Sequence, residues 1–117
     1  QVFLFEIDRQ ALLASQQPAF APLSKFPEVR RDLALVCARE LPVDALLATV
    51  RNTAGECLKN LTLFDVYCGE HIDSSKKSVA LGLTFQHPSR TLNEAEIVAW
   101  IDAVLSAVLE QHQAQLR

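Results

Sequence analysis

The fold is decided by an alternating stretch at residues 77–86, with the sequence KSVALGLTFQ. Large apolar side chains occupy every second position, and small or polar side chains lie between them. Because successive side chains of a β-strand point to opposite faces of a sheet, this alternation predicts a strand with one buried face. Residues 58–68 predict a second strand, and residues 69–76 are rich in turn formers. The two strands are close enough to pair as an antiparallel hairpin with a long loop.

The sequence on either side of this hairpin predicts one further strand and two helices. Residues 30–37 alternate as a strand does, and residues 43–54 carry apolar side chains at helical spacing. Asn93 and Glu96 form a capping-box pattern that begins a second helix, which runs to about residue 112. The order β-α-β-β-α predicts an α+β fold of the ferredoxin-like, split βαβ type. Such a fold is an antiparallel sheet with two helices on one face.

The N-terminal residues predict less regular structure. Residues 2–8 predict a strand that is apolar on both faces in its first half, and residues 10–14 predict a short helical turn. Residues 15–27 contain three prolines among small and polar side chains, which is typical of a linker or an extended loop. Because the chain has no Met, even at position 1, we expect it to be part of a longer protein.

Composition narrows the classes of function. The 117 residues suffice for one domain, and 50% of them are hydrophobic, as in ordinary soluble globular proteins. No apolar run approaches the length of a membrane span, and no signal peptide is visible. The net charge of −3 argues against a broad electrostatic attraction of nucleic acid. Any RNA binding must therefore depend on local contacts.

Catalytic and metal-binding motifs are missing from the sequence. The three cysteines have no CxxC spacing, and the three histidines have no ligand spacing to Cys or carboxylates. The three glycines form neither a P-loop nor a dinucleotide-binding motif. We therefore expect free thiols in a reducing cytoplasm, no metal or cofactor, and no enzymatic activity in this chain.

The alternation assigns side chains to the two faces of the predicted sheet. The face toward the helices is expected to hold Leu33, Leu35, Phe64, Val66, Val79, Leu81, Leu83 and Phe85. The opposite, open face is expected to hold Asp65, Tyr67, Ser78, Ala80, Gly82 and Thr84. The same alternation puts Leu61 and Leu63 on the open face, which would then need cover.

The residues of the open face fit the binding of nucleic-acid bases, and they also fit an ordinary structural role. A lone aromatic ring among small neighbours leaves room for a nucleic-acid base to stack. A carboxylate beside it can accept hydrogen bonds from the exocyclic amino groups of bases. Tyr is also a common strand residue, and an exposed Asp also keeps a sheet face soluble. Both interpretations fit Tyr67 and Asp65 on the pattern alone.

Four motifs together resemble one protein family. They are SKFPEVRRDLA at residues 24–34, LFDVY at 63–67, KSVAL at 77–81 and RTL at 90–92. In this order and spacing they resemble the ferredoxin-fold anticodon-binding domain that closes the β subunit of bacterial phenylalanine–tRNA ligase. The resemblance covers residues 24–117.

The resemblance implies a role in reading tRNA. In the family, the Tyr of LFDVY stacks on an anticodon base and its Asp hydrogen-bonds anticodon bases, which implies these roles for Tyr67 and Asp65. The terminal Arg of the family implies a contact between Arg117 and the anticodon region. Arg30, Arg31, Lys77 and Ser78 also match motif positions, and of these Arg31, Lys77 and Ser78 are candidate tRNA-binding residues. A structural role for Arg31 and Asp32, holding the loop against the sheet, stays open.

The resemblance also implies an organisation of the chain. Residues 1–23 correspond to the last strand of a preceding domain and a Pro-rich linker, and residues 24–117 correspond to the anticodon-binding domain. The chain departs from the family pattern at Cys68, where relatives are often basic, and at Ser75, where Gly is usual. Since Ser tolerates positive φ poorly, we expect the turn at Ser75 to have a different backbone shape.

For the longer protein, the resemblance implies a cytoplasmic (αβ)2 enzyme that attaches phenylalanine to its tRNA with ATP and Mg²⁺. Its active site lies in the α subunit, so this chain is expected to contain no catalytic residue. The implied partners are the anticodon loop of tRNA(Phe), the α subunit and the other β-subunit domains.

Two other functions remain open on the sequence. The first is a protein-interaction module that docks another domain or subunit through the open face, suggested by Leu61, Leu63 and the apolar residues 2–8. Residues 2–8 also predict self-association of the isolated chain. The second is a small-molecule regulatory domain of ferredoxin type, which the glycine pattern does not support.

Overall fold

A computed structural model describes residues 1–14, 19–20 and 23–117. Its helices and strands, in chain order, are α1 (Arg9–Leu13), β1 (Val29–Ala38), α2 (Val43–Ala54), β2 (Leu58–Tyr67), β3 (Lys76–Phe85), α3 (Glu94–His112) and β4 (Gln115–Leu116). From α1 onward, the helices and strands predicted by the sequence are present within one or two residues of their expected bounds. The short β4 forms at the C-terminus, where the sequence left fraying or an edge strand open.

The four strands form one sheet in the order β2-β3-β1-β4, and each neighbouring pair is antiparallel. β3 lies between β1 and β2, although β1 and β2 are the strands that α2 connects. The β1-α2-β2 unit is therefore split by β3, which is the ferredoxin-like arrangement. The predicted fold class is confirmed.

α2 and α3 cover one face of this sheet and form the core with it. The helix-facing side chains of β3 are fully buried; they are Val79, Leu81, Leu83 and Phe85. Leu46 and Val50 of α2 and Val104 of α3 are fully buried in the same core. Phe85 also stacks on Trp100 of α3, with ring centroids 5.5 Å apart. Since both long helices pack on this side, the other face of the sheet stays open.

The register of β2 against β3 shifts twice, between Leu58 and Asn60 and between Leu63 and Asp65, and alternation alone predicted neither shift. Leu63 pairs with Leu81 of β3, but the next paired residue is Asp65, which lies opposite Ala80. Phe64 is therefore an extra residue that β3 does not match. A β-bulge of this kind shifts the alternation by one position, so the side chains on its two sides follow different parities.

Because of the bulge at Phe64, three side chains lie on the opposite face of the sheet from the one that the alternation predicted. Phe64, which the alternation put in the core, is 52% exposed and contacts an arginine of the open face. Leu61 and Leu63, which it put on the open face, lie opposite Leu83 and Leu81 on the helix side. The open face therefore has no leucine patch on β2 that needs cover. Asp65 lies beyond the bulge and keeps its predicted face.

The strand predicted over residues 2–8 is absent. A strand needs a neighbour to accept and donate its backbone hydrogen bonds, and none of the described residues pairs with this segment. Its apolar side chains from Val2 to Phe5 are 85–94% exposed. α1 follows directly, with the Asp8 carboxylate accepting a hydrogen bond from the Gln10 N–H.

The linker predicted over residues 15–27 falls partly outside the described residues, because 15–18 and 21–22 are not among them. Residues 23–28 are described and contain neither helix nor strand. In the described parts of the chain, none of the helices combines the length and the apolar character needed to cross a membrane.

The backbone of the β2–β3 turn shows how Ser75 is accommodated where the family pattern has Gly. The left-handed residue of this turn is His71, with φ 74°, whereas Ser75 has no positive φ. The Ser75 N–H and hydroxyl both donate to the Asp73 carboxylate, at 2.8 and 2.5 Å. These hydrogen bonds hold the pKa of Asp73 below its usual value. Ser in place of Gly therefore brings no backbone strain here.

The two ends of α3 are fixed by specific contacts. Asn93 and Glu96 form the predicted capping box, and Arg90 binds the Glu96 carboxylate at 2.5 and 2.7 Å. The ion pair and the capping bond lower the pKa of Glu96 from 4.5 to about 2. At the other end, Gln113 adopts φ 53° and ends the helix, after which the chain joins the sheet. The Arg117 N–H then donates to a β1 carbonyl at 2.8 Å, which positions the terminal side chain.

Candidate nucleic-acid interface

Small side chains form the centre of the open face. On β3 they are Ser78, Ala80 and Gly82, and on β1 Ala34 lies directly opposite Ala80. Side chains of this size rise little above the backbone. Longer side chains from the edge strands can therefore lie flat across the middle of the sheet.

Tyr67 and Arg117 meet across this centre. Tyr67 ends β2 at one edge of the sheet, and Arg117 follows β4 at the other edge. The Arg117 guanidinium carbon nevertheless lies 5.8 Å from the centroid of the Tyr67 ring. Ser78, the β3 partner of Tyr67, is only 4% exposed. A cation over an exposed ring contributes about 0.5–1 kcal/mol, so this contact orients both groups and is easily exchanged for a ligand.

The turn after β2 fixes the position of the Tyr67 ring. The Tyr67 hydroxyl donates to the Glu70 carbonyl at 3.3 Å. A Cβ added at Gly69 would lie 2.5 Å from the Tyr67 hydroxyl oxygen. Glycine at this position therefore leaves the space that the tyrosine occupies.

A second arginine and a second aromatic ring meet near the middle of β2. The Arg30 guanidinium carbon lies 5.9 Å from the centroid of the Phe64 ring. The Arg30 Nε donates to the Asp32 carboxylate at 2.9 Å. A Cβ added at Gly82 would lie 2.9 Å from an Arg30 nitrogen and 3.2 Å from an Asp32 oxygen. The ion pair therefore lies directly over Gly82, on the way from β1 to β2.

Asp65 provides a carboxylate next to both rings in the sequence. It lies between Phe64 and Tyr67 on β2, opposite Ala80, and it is exposed. Among the residues that the structure describes, it has no side-chain hydrogen bond and no ion pair. Its two oxygens are thus available as acceptors for a ligand.

Two of the basic site residues expected from the resemblance lie on the other side of the sheet. Arg31 is opposite Leu83, and its Nη2 binds both oxygens of Glu94 on α3, at 2.6 and 2.7 Å. Lys77 is opposite Cys37, and its Nζ donates to the Leu41 carbonyl at 2.5 Å. Both cations therefore help to hold the helix layer. The structure groups the other four expected residues on the open face; these are Asp65, Tyr67, Ser78 and Arg117.

Among the described residues, little suggests catalysis or metal binding. No group of three His, Cys, Asp or Glu side chains is arranged to hold a metal ion. Burial raises the pKa of the Cys37 thiol, which keeps it protonated and unreactive. Cys57 and Cys68 are free as well. A cavity beside the β2–β3 turn, lined in part by Cys68, measures about 240 Å³, which is smaller than most small-molecule sites.

Sequence reasoning missed Phe64 as part of this face, and it missed the ion pair of Arg30 and Asp32 that lies over Gly82. The alternation put Asp32 on the face of Ala34 and Gly82 on the open face, and the structure agrees with both. Nothing in the sequence neighbourhood of Gly82 indicates an ion pair above it. Phe64 carried no signal, because the residues around the bulge include neither Gly nor Pro.

Comparison with known proteins connects this geometry to a family. The family model of the ferredoxin-fold anticodon binding domain matches residues 24–117. The chain belongs to this family. The match confirms the resemblance seen in the motifs, and it includes all four strands, α2 and α3. The family is described by binding rather than by catalysis, and every residue of the open face lies within the match.

Individual relatives extend the likeness to the N-terminal residues. The chain is 49% identical over 116 residues to the phenylalanine–tRNA ligase β subunit of Pseudomonas syringae pv. tomato, which covers 99% of the chain and 15% of that relative. The proteins of the same name from Coxiella burnetii and Methylococcus capsulatus are 47% and 45% identical over 116 residues. The chain thus spans about 15% of the length of the curated relatives that it matches.

Proposed function

We propose that this chain is the anticodon-binding part of a phenylalanine–tRNA ligase β subunit and that it binds the anticodon loop of tRNA(Phe) on the open face of its sheet. The observation that carries the proposal is the exposed Tyr67 ring, which lies on the same face as the exposed carboxylate of Asp65 and under the guanidinium of Arg117. Family membership supports the RNA ligand, and the names of the relatives support the particular tRNA.

Each group on the face has a separate task. An anticodon base stacks on Tyr67, where base–aromatic stacking contributes about 1–3 kcal/mol. Asp65 accepts hydrogen bonds from the exocyclic amino group of a base. Arg117 leaves the ring, or stays as a second layer, and contacts a phosphate. Ser78 lies beneath them on β3 as a further hydrogen-bonding group.

The roles of Arg31 and Lys77 are structural in this proposal. Both belong to the helix side of the sheet, and both already bind a protein group there. A direct contact with tRNA would need each of them to give up that partner. We therefore assign RNA recognition to the open face alone.

The proposal extends to the longer protein of which this chain is a part. A protein of which this chain is about one seventh in length would attach phenylalanine to tRNA with ATP and Mg²⁺, at an active site outside this chain. It would act in the cytoplasm as an (αβ)2 heterotetramer. In this arrangement residues 1–23 are the end of a preceding domain and its linker. The domain positions the tRNA and leaves the chemistry to the α subunit.

An NMR titration tests the proposal directly. The labelled chain is titrated with the anticodon stem-loop of tRNA(Phe) and then with the same stem-loop carrying a permuted anticodon. Shifts that cluster at Asp65, Tyr67, Ser78 and Thr84 with the cognate loop alone are the expected result. Equal shifts with both loops, or none with either, would rule out reading of the anticodon by this chain.

The exposed N-terminal residues favour a second, compatible role in protein contacts. The apolar side chains from Val2 to Phe5 are 85–94% exposed, and such a segment is a common site of association. We expect the isolated chain to self-associate through these residues. Sedimentation velocity over a wide concentration range tests this, and a monomer at every concentration would contradict it. The proposed role of the open face no longer includes protein docking, because Leu61 and Leu63 lie on the helix side.

A further inference from the structure

We propose that the open face has a second base-stacking position, at Phe64, and that it holds two nucleotides of single-stranded RNA side by side along β2, one on Tyr67 and one on Phe64. The inference rests on the proposed function, since it concerns the same face and the same class of ligand. It adds a nucleotide position that the motif-based prediction did not contain.

The two aromatic residues are built alike. Both lie on β2, and the bulge brings both to the open face. Phe64 is 52% exposed and Tyr67 is 39% exposed, so a part of each residue is accessible to a ligand. Each ring has an arginine guanidinium close to it, at 5.9 Å and 5.8 Å from the centroids.

Both arginines reach their rings across small residues. Arg30 starts on β1 and crosses β3 at Gly82, the only position on that strand where no side chain would obstruct it. Arg117 starts beyond β1 and reaches Tyr67 across the same strand near Ser78. A guanidinium is planar and stacks on aromatic faces much as a base does. Each arginine thus occupies a position where a planar base could stack on the ring, and it also provides a positive charge for a nearby phosphate.

A carboxylate accompanies each arginine and ring. Asp32 is bound by Arg30 at 2.9 Å, and Arg30 in turn lies over Phe64, whereas Asp65 precedes Tyr67 by two residues on the same face. A carboxylate accepts hydrogen bonds from exocyclic amino groups, so each position combines stacking with an edge contact. Aromatic ring, arginine and carboxylate recur as one set at both positions.

The distance between the rings selects the kind of RNA. Phe64 and Tyr67 are three residues apart, which is roughly 8–10 Å along a strand with a bulge. Stacked bases of a helical strand are spaced by only about 3.4 Å. Two bases can occupy both rings only if they are unstacked from each other. The face therefore fits a splayed loop rather than a duplex.

An abasic scan of the RNA, combined with variants of the protein, tests this inference. The whole 117-residue chain is used as wild type, Phe64→Leu and Tyr67→Leu, each with anticodon stem-loops that lack one loop base at a time. Phe20→Leu is the matched control, because it makes the same change at a residue that is 90% exposed and outside the sheet. Phe64→Tyr keeps an aromatic ring and is expected to retain wild-type affinity.

The expected result is a specific coupling between ring and base. Phe64→Leu should weaken binding of the intact stem-loop by at least about fivefold. With the stem-loop that lacks the base bound at Phe64, the variant and the wild type should bind equally well. Tyr67→Leu should show the same behaviour at a different position, and the Phe20 control should show neither effect. A stem-loop with 2-aminopurine at the position assigned to Phe64 gives a check on the wild type, since its fluorescence should fall on binding.

The outcomes separate this inference from the proposed function. If Tyr67→Leu is coupled to one base and Phe64→Leu responds to every abasic loop as the wild type does, the second position is wrong and the proposed function stands. If neither variant is coupled to any base, both are wrong. If both variants are coupled to the same base, one nucleotide contacts both rings and the two-nucleotide arrangement is overturned.

Discussion

The two faces of the sheet use the same strands for different purposes. From residue 78 to residue 85 of β3, the side chains toward the helices are large and fully buried, whereas those toward the open side are Ser, Ala, Gly and Thr. The covered face is filled, and the open face is kept low so that arginines can cross it to reach aromatic rings. Since the two sets alternate along one strand, stability and RNA binding can be changed almost independently.

The largest expected effect is on the covered face. Leu81 is fully buried at the centre of the sheet, opposite Leu33 and Leu63. Leu81→Ala should lower the free energy of unfolding by about 2–5 kcal/mol, because it removes buried surface and leaves a cavity. Thr84→Ala, on the open face of the same strand, should cost less than about 1 kcal/mol. Urea unfolding measures both, and equal losses would contradict the separation of the two faces.

The next largest effect is expected for a change on the open face, and it concerns the affinity for RNA rather than the stability of the fold. Tyr67→Ala should weaken binding of the anticodon stem-loop by about 1–3 kcal/mol, because it removes a stacking surface. Its free energy of unfolding should change little, since the ring lies outside the core. Tyr67→Phe keeps the ring and loses only the hydrogen bond to Glu70, so it should bind as the wild type does. Unchanged affinity of Tyr67→Ala in fluorescence anisotropy would refute the role of the ring.

The comparison also explains how much of the molecule the sequence predicted. Alternation on β3 and the Asn93–Glu96 capping box are local signals, and they placed the strands and helices within one or two residues. They succeeded because the local preferences agree with the final packing. The strand predicted at residues 2–8 does not form within this chain, because a strand depends on a partner and the described residues provide none for it.

The candidate site was predicted less completely, for two physical reasons. Counting by twos through β2 fails at Phe64, because a bulge changes the parity and no residue type there indicates one. Arg31 and Lys77 could have been assigned to the helix side, since they share the parity of Leu33 and Val79. Resemblance to the family motif outweighed that signal. A motif records which residues occur together, and it does not record which face they occupy.

A smaller effect on stability is expected at the start of α3. Asn93→Ala removes the side-chain oxygen that accepts the Glu96 N–H and should cost about 0.5–2 kcal/mol of the free energy of unfolding. Asn93→Ser keeps a good N-cap residue, so it should lower the free energy of unfolding by only about a few tenths of a kcal/mol. Because α3 lies on the covered face, neither variant should change the affinity for RNA at temperatures where it is folded. A loss of RNA affinity in Asn93→Ala would show that the two faces are coupled.

The Arg90–Glu96 ion pair, at the start of α3, makes the stability of the folded chain depend on pH. The pKa of Glu96 is lowered to about 2, so its ionised form is bound more favourably in the folded chain. The resulting stabilisation is fully present above pH 4.5 and is lost as the pH falls toward 2. Over this range, wild type should lose stability faster than Glu96→Gln, and the two curves should approach each other. Thermal unfolding at several pH values measures this.

Glu110→Gln is the control for this prediction, because it makes the same chemical change near the other end of α3. Glu110 is exposed and is in none of the ion pairs of the described residues. Its variant should follow the wild-type curve. If Glu96→Gln also remains parallel to wild type down to pH 2, the ion pair contributes nothing to the acid dependence.

The smallest expected effect distinguishes the arginines of the two faces. Each phosphate contact with a single strand contributes about 0.7 to the slope of log K against log salt concentration. Arg117→Gln should lower the slope by about this amount, since its guanidinium lies on the open face over Tyr67. Arg31→Gln makes the same change to a cation that binds Glu94 on the covered side, and it should leave the slope unaltered. A decrease in both slopes would mean that RNA contacts the helix side as well, because only a bound phosphate releases counterions.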